Sequence, residues 1–224
     1  MPRRQEAFPP GSYYHVFSRG VNKAPIFFDE RDLQHAYELL DYYRYAHPPL
    51  RFSFLTDLPM PRQQEIWEEL RRSKEYLVTV LAFCFLPNHY HCLLKAEVEK
   101  GIPRFLQRWQ DSLAKYINVR YKRSGPLFQG PFRAVQVARD EQLLHLSRYI
   151  HLNPLTSRLV TNRPSLLRYP WSSFGTYTRQ KEAGLCSTEL VLSFFDSPRE
   201  YQSFVLDRAS YQQSLEAIKH LILE

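Results

Sequence analysis

Two runs of β-branched and aromatic residues, Tyr76 to Phe85 and His89 to Lys95, stand on either side of Pro87-Asn88, and they constrain the fold more than any other stretch. Each run is strand text, and so short a turn forces the second strand to return antiparallel beside the first. A hairpin in the middle of a chain needs further strands and a layer of helices to bury it. The flanking sequence supplies both. Ser12 to Arg19 reads as a strand, and Glu30 to about Ala46 as an amphipathic helix with Leu33, Ala36, Leu39, Leu40 and Tyr43 on its apolar side. Gly101 to about Arg123 reads as a helix, Phe132 to Ala138 as a strand, and Asp140 to Asn153 as a helix that Pro154 stops. The order strand, helix, strand, strand, helix, strand predicts a ferredoxin-like α+β sandwich, an antiparallel sheet with packed helices, with the Tyr149 helix added after the fourth strand.

With 224 residues, 44% hydrophobic and 15% aromatic, the chain can bury a sizeable core, which suits one catalytic domain over 1–178 and a helical extension over 179–224. Residues 56–75 form an inserted segment, read as a loop entering a charged helix. In the extension, Leu190, Val191, Leu192, Phe194, Phe195, Tyr201, Phe204, Val205, Leu215, Ile218 and Leu221 give apolar helix faces. No apolar run reaches eighteen residues and no secretory stretch follows Met1-Pro2-Arg3-Arg4, so the expectation is a cytoplasmic protein without a membrane partner. Cys84, Cys92 and Cys186 are odd in number and lack C-x-x-C spacing, which argues against a disulfide framework or zinc knuckle. No phosphate-cradling loop is present, so ATP is not expected.

Alternate strand residues share a face, so the imidazoles of His89 and His91 can converge on one divalent ion while Tyr90 faces the core. On a helix, residues four apart share a face. The amide of Asn153 then becomes a candidate third ligand, with the phenol of Tyr149 beside the ion. Either half alone also fits a structural role, since a tyrosine in an apolar helix usually belongs to the core.

Five segments in order carry a family resemblance: Tyr14-His15-Val16-Phe17-Ser18-Arg19-Gly20; Leu86-Pro87-Asn88-His89-Tyr90-His91; Leu127-Phe128-Gln129-Gly130; Ser147-Arg148-Tyr149-Ile150-His151-Leu152-Asn153-Pro154; and Tyr169-Pro170-Trp171-Ser172-Ser173. Over about residues 8–178 the chain resembles the REP-associated tyrosine transposases of the HUH single-tyrosine superfamily. The resemblance implies a metal-dependent endonuclease and strand transferase for single-stranded or hairpin DNA. It further implies Tyr149 as nucleophile through a 5′-phosphotyrosine, His89 and His91 as metal-binding pair, Asn153 as third ligand, Mg²⁺ or Mn²⁺ as cofactor, and a nucleoid-associated site of action. The insertion and the extension depart from the simplest family pattern. They leave the DNA target open, and also whether the site assembles within one chain or in a homodimer.

Charge points to the same partner. Residues 101–179 hold thirteen Lys or Arg against three acids, whereas residues 1–100 balance, so the basic excess sits where the candidate nucleophile is. On the 101–123 helix, Arg104, Arg108, Lys115 and Lys122 fall on one side, opposite Phe105, Leu106, Trp109, Leu113, Tyr116 and Ile117, and form a candidate DNA track or a solvated exterior. Arg3, Arg4, Arg19, Asn22 and Arg148 are further candidates for DNA contact. Phe128 reads as a loop anchor in preference to a base-stacking platform. His145, four residues before Tyr149, is a candidate auxiliary base; His151 projects away from the phenol. Two rivals stay open: a non-catalytic module binding hairpin DNA or RNA, and a hydrolase that activates water. A covalent protein–DNA adduct separates them from the nuclease.

Overall fold

The computed structural model describes residues 8–180 and 184–207. Arg3, Arg4, Leu215, Ile218 and Leu221 lie outside the described residues. The hairpin forms as expected: β2 (Val78–Leu86) and β3 (His89–Ala96) are antiparallel, and Leu86 pairs with His89, so Pro87 and Asn88 alone make the loop. β1 (Tyr13–Arg19) lies beside β3, and β4 (Arg133–Val137) beside β1, both antiparallel. The sheet order β2-β3-β1-β4 is that of the ferredoxin-like sandwich.

Helices cover both faces of the sheet. On one face α1 (Glu30–Tyr43) and α4 (Gly101–Arg120) bury Leu39, Leu40, Phe105, Trp109 and Leu113 against Val16, Phe83, Phe85, Tyr90, Cys92 and Leu94. On the other, α5 (Asp140–Thr156) lays Leu143, Leu146 and Ile150 on Cys84, Leu86, Leu93 and Val137. A register shift between Val80 and Ala82 exchanges which residues of β2 face which side of the sheet. Val80 points to α1 and α4, Leu81 and Ala82 both point to α5, and the alternation resumes one residue out of phase at Phe83.

Helix ends differ from the sequence reading for local reasons. α1 stops at Tyr43, short of Ala46, because the next residues pair with the entry to β2: Tyr45 bridges Tyr76, and Ala46 N–H donates to the Glu75 carbonyl at 2.9 Å. α4 stops at Arg120, short of Arg123. Lys122 takes a left-handed conformation (φ 49°) and Arg123 N–H reaches back to the Asn118 carbonyl at 2.8 Å. Lys122 therefore lies past the helix and does not share its basic side. α5 instead runs through Pro154 to Thr156, a correction to the expected stop. Proline removes one donor, but the carbonyls of Asn153 and Pro154 still receive Ser157 and Leu159 N–H at 2.9 Å, so the last turn survives.

α2 (Phe52–Thr56) leads into the inserted segment, which forms α3 (Met60–Ser73); its Ile66 and Leu70 join the core on the α1 and α4 side. After α5 come α6 (Arg163–Leu167), α7 (Phe174–Tyr177), α8 (Glu189–Leu192) and α9 (Pro198–Leu206). Ser197 caps α9 by accepting from Glu200 N–H, and Tyr201, Val205 and Val191 are buried in the α5 cluster, so the extension shares the core of the second face. Trp171 to Ser173 runs along the outer edge of β2, taking up Phe85 N–H at 2.9 Å and donating Ser173 N–H to the Phe83 carbonyl at 3.0 Å. That edge is thereby covered. Among the described residues, no helix is long and apolar enough to cross a membrane.

Candidate active site

His89 and His91 begin β3 and share its α5 face with Leu93, while Tyr90 turns to the other core, as two-residue alternation requires. Their ring centroids lie 5.1 Å apart at 88°. Two imidazoles bound through nitrogen at about 2.1 Å, at coordination angles of about 90–110°, would place their centroids roughly 4.6–5.3 Å apart, so the pair is spaced for one ion. The Nδ1 atoms are engaged on both rings. His89 Nδ1 is 2.6 Å from Asn88 Oδ1, an acceptor here, so the ring carries its proton on Nδ1 and presents the Nε2 lone pair. His91 Nδ1 is 3.0 Å from His15 Nε2.

α5 brings the second half of the site. Leu146 and Ile150 anchor it on β2 and β3, and Tyr149, half-buried, turns its ring edge toward the histidines. Its centroid is 5.4 Å from that of His91 and 6.2 Å from that of His15, nearly perpendicular to both. The separate strand and helix motifs thus meet. Asn153 is 4% exposed, and its side-chain amide donates to the Tyr149 carbonyl at 3.1 Å, tying the candidate third ligand to the turn that carries the phenol. Among the described residues, no three His, Cys, Asp or Glu converge to hold a metal ion. An ion held by the histidine pair would need oxygen donors to complete its shell, for which an amide or a phosphate is suited.

Sequence reasoning missed His15 and Phe17. In the register of β1 against β3, Phe17 faces His91 and His15 faces Leu93, which places both rings on the site's side of the sheet. His15 is fully buried; the Phe17 ring stacks on it at 4.7 Å, and the His91 ring lies edge to edge with it, centroids 5.2 Å apart. The available signal was alternation in Tyr13, His15 and Phe17 combined with the strand order. A cleft of 390 Å³ opens beside His89, lined by Phe17, Arg19, Lys23, Gln129 and Arg133 among others, with no carboxylate. Gly130 turns at φ 145° in its wall, and the loop is laced to the end of β1 by Val21 N–H to Leu127 (3.1 Å) and Gln129 N–H to Arg19 (2.8 Å). Phe128 is buried and anchors this loop near Tyr90. A larger cleft of 760 Å³ lies along α4, on the face remote from Tyr149, and has no part of this chemistry.

The remaining candidates scatter. Arg19 borders the cleft beside His89, and Asn22 is exposed nearby with φ 53°. Arg104 and Lys115 are exposed on α4, across the sheet from the site, and Arg108 beside them donates to the Ala46 carbonyl at 3.2 Å. Arg148, expected on DNA, is instead fully buried, with its guanidinium 4.9 Å from the Phe204 ring centroid. α9 covers that side of the helix. His145 packs its ring 5.8 Å from that of Phe204, and burial lowers its pKa, with Glu141 opposing and Arg148 adding to the effect. His151 is buried and pushed down to about 3 by burial, which keeps it neutral. It accepts from Ser173 Oγ at Nε2 (2.8 Å) and donates from Nδ1 to Tyr201 Oη (2.7 Å), whose hydroxyl donates to Ser147 (3.0 Å).

Residues 48–153, which include both histidines, Tyr149 and Asn153, match the IS200-like transposase family. Nothing among the curated proteins matches the sequence. A solved structure of a REP-associated tyrosine transposase bound to a REP hairpin superposes with a TM-score of 0.53 at 13% identity, covering 84% of this chain and 90% of that one. At that identity the likeness speaks to the fold. The chain is thus similar to the IS200-like transposases over residues 48–153, and it carries the fold of a REP-associated tyrosine transposase.

Proposed function

We propose that this protein is a single-stranded DNA endonuclease and strand transferase that acts on hairpin DNA through Tyr149. The observation that carries this reading is the meeting of Tyr149, from α5, with His91, from β3, at 5.4 Å between rings. The family match and a fold shared with a hairpin-bound transposase support a DNA hairpin as partner.

The residues divide the work. Arg19, Asn22, Lys23 and Arg133 border the cleft or its rim and would hold the DNA backbone beside His89, giving salt-dependent affinity. The Tyr149 phenol attacks the scissile phosphorus: its O–P bond forms as the bond to the 3′-oxygen breaks, and the phenolic proton is passed to solvent or to the departing oxygen. The products are a 5′-phosphotyrosine and a 3′-hydroxyl, and the reverse attack by another 3′-hydroxyl rejoins strands without ATP. His89, His91 and Asn153 would hold the ion, Mg²⁺ or Mn²⁺; their mixed nitrogen and oxygen donors suit Mn²⁺ better. Once bound, it would polarise the phosphate and lower the cost of using a phenol whose ordinary pKa is near 10.

The test is a denaturing gel of the protein with labelled single-stranded hairpins from its own genomic neighbourhood and Mn²⁺ or Mg²⁺. A covalent band is expected with the wild type and none with Tyr149→Phe. Binding without any adduct across substrates and metals would establish a non-cutting module instead. Cleavage surviving in the variant would move the nucleophile to water or another residue.

A further inference from the structure

His91 and His15 face each other in the core at 3.0 Å, a contact spanning 76 residues of sequence, and both side chains are fully buried. One of two neutral imidazoles must donate in such a pair, and the direction has a consequence. If His15 donates, His91 accepts at Nδ1 and carries its proton on Nε2, where it cannot bind a metal. If His91 donates from Nδ1, its Nε2 keeps the lone pair that coordination needs. His89 already shows the second arrangement, with Asn88 Oδ1 as acceptor. Asn88 precedes its histidine in the hairpin loop; His15 comes from the neighbouring strand, where the register sets it opposite Leu93 and diagonal to His91.

We infer that His15 is a positioning residue for the metal site: it accepts the Nδ1 proton of His91 and so fixes the tautomer and plane in which His91 binds. This rests on the reading of His89 and His91 as a metal-binding pair. His15 itself is not a ligand in this arrangement. Its Nε2 is directed at His91 Nδ1, the nitrogen that faces away from an ion bound at Nε2, and no third His, Cys, Asp or Glu among the described residues converges with the pair. Phe17 stacks against both rings, at 4.7 Å from His15 and 5.8 Å from His91, and holds the two planes nearly parallel. Acceptors behind metal-bound histidines of this kind are worth about 10- to 100-fold in affinity.

The experiment is Mn²⁺ titration of the full-length protein without DNA, by calorimetry and electron paramagnetic resonance. It compares wild type, His89→Ala, His15→Phe and His15→Gln. Phenylalanine keeps the ring and its stacking but offers no acceptor; glutamine restores one near the position of Nε2. Expected are loss of binding in His89→Ala, about 10- to 100-fold weaker binding in His15→Phe, and recovery of most of that loss in His15→Gln. Thermal unfolding and hairpin binding in EDTA check that His15→Phe is folded. Should it not fold, the wild type still decides the matter: electron spin-echo modulation of bound Mn²⁺ should count two imidazoles, and long-range ¹H–¹⁵N spectra with Mg²⁺ should show the His91 proton on Nδ1. Wild-type affinity in His15→Phe, three imidazoles on Mn²⁺, or a His91 proton on Nε2 would each overturn the role of His15 while leaving the metal pair standing. No Mn²⁺ binding by the wild type, unchanged in His89→Ala, would remove the metal reading and this inference with it.

Discussion

The two faces of the sheet are built differently. Under α1 and α4 the core is aromatic and aliphatic, and its polar groups are tied in short, separate contacts: Trp109 Nε1 donates to the Ala36 carbonyl at 2.9 Å, Gln110 Nε2 to Tyr90 Oη at 2.9 Å, and Arg120 and Tyr121 to the buried Asp32. Under α5 the same sheet carries buried histidines and hydroxyls. At the far side of the helix a relay runs from Ser173 through His151 and Tyr201 to Ser147, whose Oγ donates to the Leu144 carbonyl. At its near side His15, His91 and Tyr149 meet. Apolar packing tolerates small displacements, whereas a directional relay fixes a helix in register. The face that carries Tyr149 is the one whose polar ties join into a continuous relay.

The comparison predicts where damage goes. Trp109→Ala empties the largest fully buried side chain and leaves the Ala36 carbonyl with one donor fewer, so unfolding in urea should show a loss of about 3–5 kcal/mol. At temperatures where the variant stays folded, adduct formation should persist. A loss below about 1 kcal/mol would mean that the α1 and α4 face is not the main store of stability. Tyr201→Phe keeps the ring but leaves the His151 donor and the Ser147 acceptor without that partner, an expected cost of about 1–3 kcal/mol. Here the telling measurement is hydrogen exchange. Amides of α5 around Tyr149 should lose protection, with a slower cleavage step at unchanged hairpin affinity, while those of α1 and α4 stay as they were. Uniform change over both faces would reduce the relay to ordinary core.

The sequence made the element order and the two halves of the candidate site legible because both are local. Alternation fixes the faces of His89, Tyr90 and His91, and helical spacing aligns Tyr149 with Asn153. What it hid depends on partners distant in the chain. The ends of α1 and α4 were read too long, since Tyr45 leaves the helix to bridge Tyr76 and Lys122 turns left-handed. Pro154 was read as a stop although a last helical turn can spare one donor. Arg148 looked like a surface cation because its cover, Phe204, belongs to α9. His15 stood inside a motif, yet its relation to His91 exists only once β1 is laid beside β3.

Charge separates the faces last and least. Lys23 and Arg133 line the cleft beside His89, whereas Arg104 and Lys115 stand on α4, across the sheet. On the proposed function, a strand entering the site would pass the first pair, and a bent or long hairpin would be needed to reach the second. Exchanging Lys23 and Arg133 together for Gln should weaken hairpin binding and flatten the dependence of log affinity on log salt by roughly 0.7–0.9 for each phosphate that is no longer neutralised. The matched pair Arg104→Gln and Lys115→Gln should leave that slope nearly unchanged. Equal flattening by the two pairs would show the nucleic acid wrapping from one face to the other, and would make the basic side of α4 the DNA track that its sequence suggests.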